Sequence, residues 1–245
     1  MKHRKVQLVK MLIYGKNSIK ERLNTNPKSI KQLFVQDNFS DRDLIALAQR
    51  NNIHIVYKNE WEMRRTKRAD RLQGLIAEIE PFRYARLEDI LDGCQRDIIF
   101  LDELNDPQNL GSIIRIAACF GNFAVCLPEF GSCSVNETVL HVASGGENYV
   151  PIVRAPSLSF AIKKAKEKGY VIVGTAVEGG KDLSVEPLPF PLGIIMGSEG
   201  EGISNELKKY IDLNLTIPMR GAKLSFNVAM ATSIFCFEIA RQRLK

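Results

Sequence analysis

Apolar and polar positions repeat with two periods along this chain, and where they change they mark out its elements. In the first third the units are short. NSIKERLNTNP has helical spacing and stops at Pro27, SIKQLFVQD carries a strand, and DRDLIALAQRNN predicts a helix opened by a Ser40 or Asp41 cap. IHIVYK alternates as a short strand, and LQGLIAEIEP predicts another, with Gly74 permitting a bulge or close approach. Residues 81–96 begin at Pro81 and predict a connector carrying a short helix.

From Asp97 onward strands and helices alternate. DIIFLDEL precedes the helix NLGSIIRIAACFG, FAVCLPE precedes SVNETVLHVAS, and VPIVRA precedes SLSFAIKKAKEKG. YVIVGTAVE is a further strand, LGIIMG precedes SNELKKYI, and NLTIP precedes SFNVAMATSIFCFEIARQR. Six strands with intervening helices predict an α/β fold, a mostly parallel sheet covered on both faces. The division expected is a small basic unit over 1–80, a linker over 81–96 and a catalytic-sized domain over 97–245. The final helix is apolar nearly all round, so it must be buried within the domain or against a second copy.

Composition narrows the class. With 245 residues, 45% hydrophobic and 25% charged, the chain is globular. No apolar run reaches the about 18 residues of a membrane span. MKHRKVQLVKMLIYGKN lacks a sustained apolar stretch and a small-residue cleavage site, so a soluble cytoplasmic protein is expected. Cys94, Cys119, Cys126, Cys133 and Cys236 form no C-x-x-C pair and read as reduced thiols serving as small core residues. His3, His54 and His141 are too scattered to support a zinc site.

Charge is uneven. Residues 1–80 hold 17 Lys and Arg against 9 Asp and Glu, whereas the remaining 165 hold 17 against 19. A basic first third on a near-neutral remainder is an electrostatic footprint for a polyanion, most simply nucleic acid. Its densest run, Arg64, Arg65, Lys67, Arg68 and Arg71, follows Trp61; by itself it reads equally as a solvated helix face or strap.

Three stretches in the larger domain could carry chemistry. In NDPQNLGSIIRIAACFG, Pro107, Asn109 and Gly111 punctuate a strand-to-helix turn, with Asn109 a candidate cap. Arg115 lies in the second turn of that apolar helix, where a guanidinium needs an anionic partner, either a structural carboxylate or a substrate phosphate. In GIIMGSEGEGIS, Gly197, Gly200 and Gly202 allow close backbone approach to a ligand, and Glu199 is a candidate acid, base or partner of Arg115. The spacing is neither a Walker loop nor G-x-G-x-x-G. In LTIPMRGAKLSFNVAM, Ile217-Pro218 and a basic loop lead to Ser225 or Asn227 as helix cap.

Together, Asn109-x-Gly111-x-x-x-Arg115, Gly197-Ser198-Glu199-Gly200-x-Gly202, and Ile217-Pro218-Met219 with Ser225-x-Asn227 resemble motifs 1, 2 and 3 of the SpoU (TrmH) family of RNA ribose 2′-O-methyltransferases. VASGGENYVPIV is similar to the stretch that members carry between motifs 1 and 2, and IYGKNSIKERL through LQGLIAEI is similar to the family's ribosomal-protein-like substrate-binding domain. Two positions depart from the pattern: Leu72 stands where many members have His, and Phe226 where Leu is usual.

The resemblance implies a deep trefoil knot, S-adenosylmethionine (AdoMet) as cofactor, and a homodimer formed through the C-terminal domain. Thr175, Gly197, Ile217 and Phe226 would line the cofactor pocket. Asn109, Arg115, Glu199, Ser225 and Asn227 would form the catalytic and substrate-contacting set. On chemical grounds, because a guanidinium keeps its proton, Arg115 is expected to clamp an RNA phosphate, with Glu199 and Asn109 holding its fork. The basic run would bind RNA. The substrate implied is a guanosine of 23S rRNA, other rRNA sites and tRNA being the alternatives. Two rival readings remain, an RNA-binding protein without methyl transfer and a nucleotide-dependent enzyme of Rossmann type.

Overall fold

A computed structural model describes residues 10–69, 72–93, 96–198, 200–222 and 224–244. Arg71, Cys94 and Glu199 lie outside the described residues.

The first unit is a four-stranded sheet in the order β1-β4-β2-β3, from β1 (Met11–Tyr14), β2 (Ile30–Gln36), β3 (Ile55–Lys58) and β4 (Leu75–Ile79). β2 and β3 run parallel, and the other pairs antiparallel. Helix α1 (Lys16–Thr25) ends before Pro27, which cannot donate to a continuing helix. Helix α2 (Arg42–Arg50) is capped by Asp41, whose Oδ1 accepts from the Leu44 amide at 3.1 Å. Helix α3 (Glu60–Thr66) opens on a capping box of Asn59 and Glu62 and buries Met63 against Phe34 and Ile76. Strand β1 was not among the predicted elements, because its four residues are embedded in a basic leading segment. The connector carries α4 (Leu87–Gly93), and Ala85 bridges to Val153 in parallel.

The second unit is a seven-stranded sheet in which every pair is parallel, in the order β7-β6-β5-β10-β8-β11-β9. Its strands are β5 (Asp97–Leu101), β6 (Phe123–Pro128), β7 (Ile152–Ala155), β8 (Val171–Ala176), β9 (Lys181–Asp182), β10 (Leu192–Met196) and β11 (Leu213–Thr216). The exposed two-residue β9 makes seven strands where six were expected; a pair of polar residues has no period to read. The helices are α5 (Pro107–Phe120), α6 (Glu137–Ala143), α7 (Leu158–Glu167), α8 (Asn205–Lys208) and α9 (Val228–Arg243).

Two expectations about α5 are corrected. Its cap is Asp106, which accepts from the Gln108 amide at 2.9 Å, and Pro107 takes the first helical position. Asn109 and Gly111 therefore lie inside the helix. Gly111 is needed there because a Cβ would lie 2.6 Å from the Val142 Cβ on α6. Helix α9 is anchored at its far end, where Arg243 forks onto buried Asp97 at 2.7 and 2.8 Å. Its outer face is not buried in the domain: Met230 and Phe237 are exposed, and Phe237 meets Phe120 edge-on.

The two units share one contiguous apolar cluster, running from Ile13, Ile19 and Leu23 to Leu110, Val139 and Leu140. Across it, Arg22 on α1 forks onto Ser29 Oγ at 3.0 Å and onto Glu147 at 2.7 Å, both charged side chains being almost wholly buried. Tyr14 stacks on His141 with ring centroids 4.0 Å apart, and Glu137 accepts from the Leu12 amide at 2.6 Å.

The described cysteines are unpaired, and not all are core. Cys119 is exposed, contrary to expectation, because it ends an amphipathic helix on the solvent side. Burial pushes the Cys126 thiol up to about 12 and raises that of Cys236. Neither carries thiolate at neutral pH, so both should resist alkylation in the folded protein and react once it is unfolded. Mass-spectrometric mapping after iodoacetamide treatment checks this; labelling of either thiol in the native state would contradict it. No helix among the described residues is long and apolar enough to cross a membrane.

Candidate active site

Parallel strands collect ligand-binding loops at their carboxyl ends, beside the point where strand order reverses. Here the chain moves outward from β5 to β6 and β7, then returns to place β10 next to β5. At the carboxyl ends of the adjacent strands β10, β8 and β11 lies a cavity of about 420 Å³, within the roughly 300–1,000 Å³ of small-molecule sites.

Thr175, Gly197, Ile217 and Phe226 all line this cavity, joined by Ser225 and Asn227. Thr175 acts by position: its hydroxyl donates to the Ile195 carbonyl at 3.0 Å, tying β8 to β10. The loop after β10 is a tight turn, with Ser198 and Gly202 exchanging backbone hydrogen bonds of 3.0 and 3.2 Å. A Cβ on Gly197 would lie 2.3 Å from the Gly202 carbonyl carbon and 2.5 Å from the Ile203 amide nitrogen. The loop folding back on its own strand by itself demands glycine at this position. Asp102, at the end of β5, secures the return by accepting from the Ser204 amide at 2.7 Å.

Asn227 caps α9 by accepting from the Ala229 amide at 2.9 Å, and its Nδ2 donates to Asn109 Oδ1 at 3.1 Å. Asn109, buried inside α5, is therefore linked to the cavity wall through Asn227. Arg115 is placed elsewhere. It is exposed, not sunk in apolar surroundings, because its position on α5 falls outside the stripe of Leu110, Ile113, Ile114 and Ala117. No hydrogen bond or ion pair holds its guanidinium among the described residues, so Asn109 does not hold its fork. It faces a cleft between the two units, with Tyr14, Asn17, Gln73, Gln108 and His141. Gln73, left-handed at φ 53°, tethers the start of α1 by accepting from the Lys16 amide at 2.8 Å.

Sequence reasoning missed Ala176, Val177, Met196, Val228, Ala231 and Phe235 as cavity residues, and named Met219 only within its motif. Val228, Ala231 and Phe235 follow helical spacing on α9, and Val177 lies two residues beyond Thr175; both are signals the sequence carries. No charged side chain appears among the described lining residues. An apolar slot edged by strand-end backbone and by Ser198, Ser225 and Asn227 suits an amphipathic ligand that is part flat ring and part polar chain, which AdoMet is.

In the basic run, Arg64 pairs with Glu60 at 3.0 Å, Arg65 lies over the Trp61 ring, and Arg68 is exposed. Lys67 is set apart from them: its ammonium pairs with Glu137 on α6 and helps join the two units.

A wholly parallel sheet with such a cavity at its strand ends, joined to a small basic α/β unit, defines a two-part α/β protein with a small-molecule site in its larger unit. Residues 96–237 match the SpoU rRNA methylase family, and residues 12–85 match the RNA 2′-O ribose methyltransferase substrate-binding domain. Similar chains include the 23S rRNA (guanosine-2′-O-)-methyltransferase RlmB of Ralstonia nicotianae, 32% identical over 95% of this chain and 96% of that one. The RlmB of Nitrosomonas europaea is 34% identical over 94% and 91%. Among solved structures, the AdoMet-bound rRNA methyltransferase of Sinorhizobium meliloti is 26% identical, with a TM-score of 0.79 over 96% of this chain and 88% of that one. The chain belongs to the SpoU rRNA methylase family and is an AdoMet-dependent RNA 2′-O-ribose methyltransferase.

Proposed function

We propose that this protein methylates the ribose 2′-hydroxyl of a guanosine in 23S rRNA, with residues 97–245 as the methyltransferase domain and residues 1–80 as the RNA-binding one. The observation that carries the reading is the strand-end cavity, with motif 2 and motif 3 residues along one wall and Asn109 of motif 1 tied to it through Asn227. The likeness to the two RlmB chains, spanning nearly their full length, supports the guanosine substrate.

AdoMet, when bound, supplies an electrophilic methyl group. The chain's own residues then have to hold and orient. Backbone at the ends of β8, β10 and β11, with Ile217 and Phe226, holds the donor. Ser225 stands at the cavity mouth, and Asn109 fixes Asn227 beside it. Arg115 clamps an RNA phosphate at the cleft between the units and so orients the ribose; its planar fork matches a phosphate as an ammonium does not. Glu199, between Ser198 and Gly200 in motif 2, belongs to the same set by its position in the motif. Positioning of this kind is the main source of acceleration for an in-line displacement.

Three further assignments follow from the family. A trefoil knot is supported by strand order: β10 and β11 are laid on either side of β8, which precedes both. A homodimer through the C-terminal domain is supported by Phe120, Met230 and Phe237, an apolar face of α5 and α9 left in water. A cytoplasmic location fits a ribosomal RNA substrate.

The test is Arg115→Lys in a methyl-transfer assay. The rate should fall at least about tenfold while AdoMet affinity is unchanged, one tenfold step being about 1.4 kcal/mol. A near-normal rate would remove the clamp from the mechanism.

A further inference from the structure

Trp61 is the chain's only tryptophan, yet the fold does not use its ring. The residue is 64% exposed on α3, whereas Met63 of the same helix is 1% exposed and supplies the helix's anchor in the core. The charged groups around Trp61 sort into two kinds. Glu60 is engaged by Arg64 at 3.0 Å, and Glu62 closes the capping box by accepting from the Asn59 amide at 3.0 Å. Lys58 donates to Thr66 at 2.7 Å and lies over the Phe34 ring, and Lys67 is taken by Glu137. That leaves Arg65 and Arg68 as cations with no carboxylate partner among the described residues. Arg65 lies 4.6 Å from the Trp61 ring centroid, a cation–π contact that fixes the indole from one side. Trp61, Arg64, Arg65, Arg68 and Ala69 line one surface concavity.

An exposed indole flanked by arginines has the chemistry to take one unpaired base on its face and the adjoining phosphates on the guanidinium groups. A base within a duplex offers no free face. We propose that this concavity is a stacking subsite for an unpaired nucleotide of the RNA substrate, apart from the nucleotide that is methylated. The proposal rests on the RNA-methyltransferase reading and adds that the small domain selects single-stranded or looped RNA through Trp61.

The single tryptophan makes the test direct. Intrinsic fluorescence of the full-length protein is titrated with a single-stranded oligoadenylate, and separately with a fully paired RNA duplex at equal phosphate concentration. The single strand should quench the emission and the duplex should not. Trp61→Ala should weaken binding of the single strand by about tenfold in a filter assay, and Trp61→Phe should retain most of the affinity. Absence of quenching by the single strand, equal quenching by the duplex, or unaltered affinity in a Trp61→Ala variant with a native circular-dichroism melt would each overturn the subsite. Methyl transfer by the unmodified chain is measured alongside. Transfer without quenching sinks the subsite alone, whereas quenching without transfer to any RNA sinks the catalytic reading and leaves an RNA-binding site.

Discussion

Replacing Gly197 by alanine is expected to remove AdoMet binding, with affinity falling at least about a hundredfold, or about 2.7 kcal/mol. The added methyl would stand 2.3 and 2.5 Å from backbone atoms of Gly202 and Ile203, neither of which can rotate away as a side-chain tip could. Relief requires the turn between Ser198 and Gly202 to lift off β10, and that turn forms one wall of the cavity. The strand itself is held on both sides by β5 and β8, so the sheet should persist and the loss should be local. Gly93→Ala is the control, because a Cβ there meets nothing within 4 Å among the described residues. Equilibrium dialysis with labelled AdoMet reads both variants. Wild-type affinity in Gly197→Ala would mean that the cavity is not the donor site.

The second large effect is on stability. Arg22→Ala leaves Glu147, whose side chain is 1% exposed, as a charge buried without its cation. Breaking a buried pair from one side costs about 3–5 kcal/mol, or about 6–20 °C in melting temperature for a chain of this size. The charged pair is incompletely satisfied: Arg22 Nε and Glu147 Oε2 are buried with no hydrogen-bond partner among the described residues. The double variant Arg22→Met, Glu147→Leu should therefore recover most of the loss, since apolar replacement of a buried pair is often neutral or better. Calorimetry distinguishes the cases. A single variant that melts with the wild type would show that the Arg22–Glu147 pair contributes nothing to holding the two units together.

Elements and site residues are legible in the sequence where they carry a local signal. The strands β5, β6, β8 and β10 are continuous apolar runs, as strands covered on both faces must be, and their positions were legible. The caps of α2 and α9 were legible only to within a pair, Ser40 or Asp41 and Ser225 or Asn227, because each pair offers two short polar side chains ahead of a helical repeat; Asp41 and Asn227 are the caps. Asn109 misled for the same reason, although Asp106-Pro107, a cap followed by a first-turn proline, was the stronger start signal. For Arg115 the residue type alone is not decisive, and its helical angle on α5 turns it to water. That angle decides whether a cation among Ile and Ala residues is buried or faces water.

Thr175, Gly197, Ile217 and Phe226 were expected together from the family resemblance, and the cavity unites them because they lie at or just beyond the ends of strands, where α/β sheets gather ligands. The junction between the units was not. Arg22 and Glu147 are 125 residues apart, and so are Leu12 and Glu137. Neither charge differs in its local sequence from its solvated neighbours. Lys67 illustrates the limit most sharply: it belongs to a run of basic residues and yet serves the junction.

The most direct measurement is transfer of a tritiated methyl group from AdoMet to unmodified ribosomal RNA, followed by alkaline hydrolysis. A methylated 2′-oxygen cannot attack the neighbouring phosphate, so a ribose product survives as an alkali-resistant dinucleotide. The expected result is label in one such dinucleotide, mapping to a single guanosine of the large-subunit RNA and lost in Gly197→Ala. Label released entirely in mononucleotides would place the methyl on a base and contradict the ribose chemistry, and binding of AdoMet with no transfer to any RNA would contradict the enzyme itself.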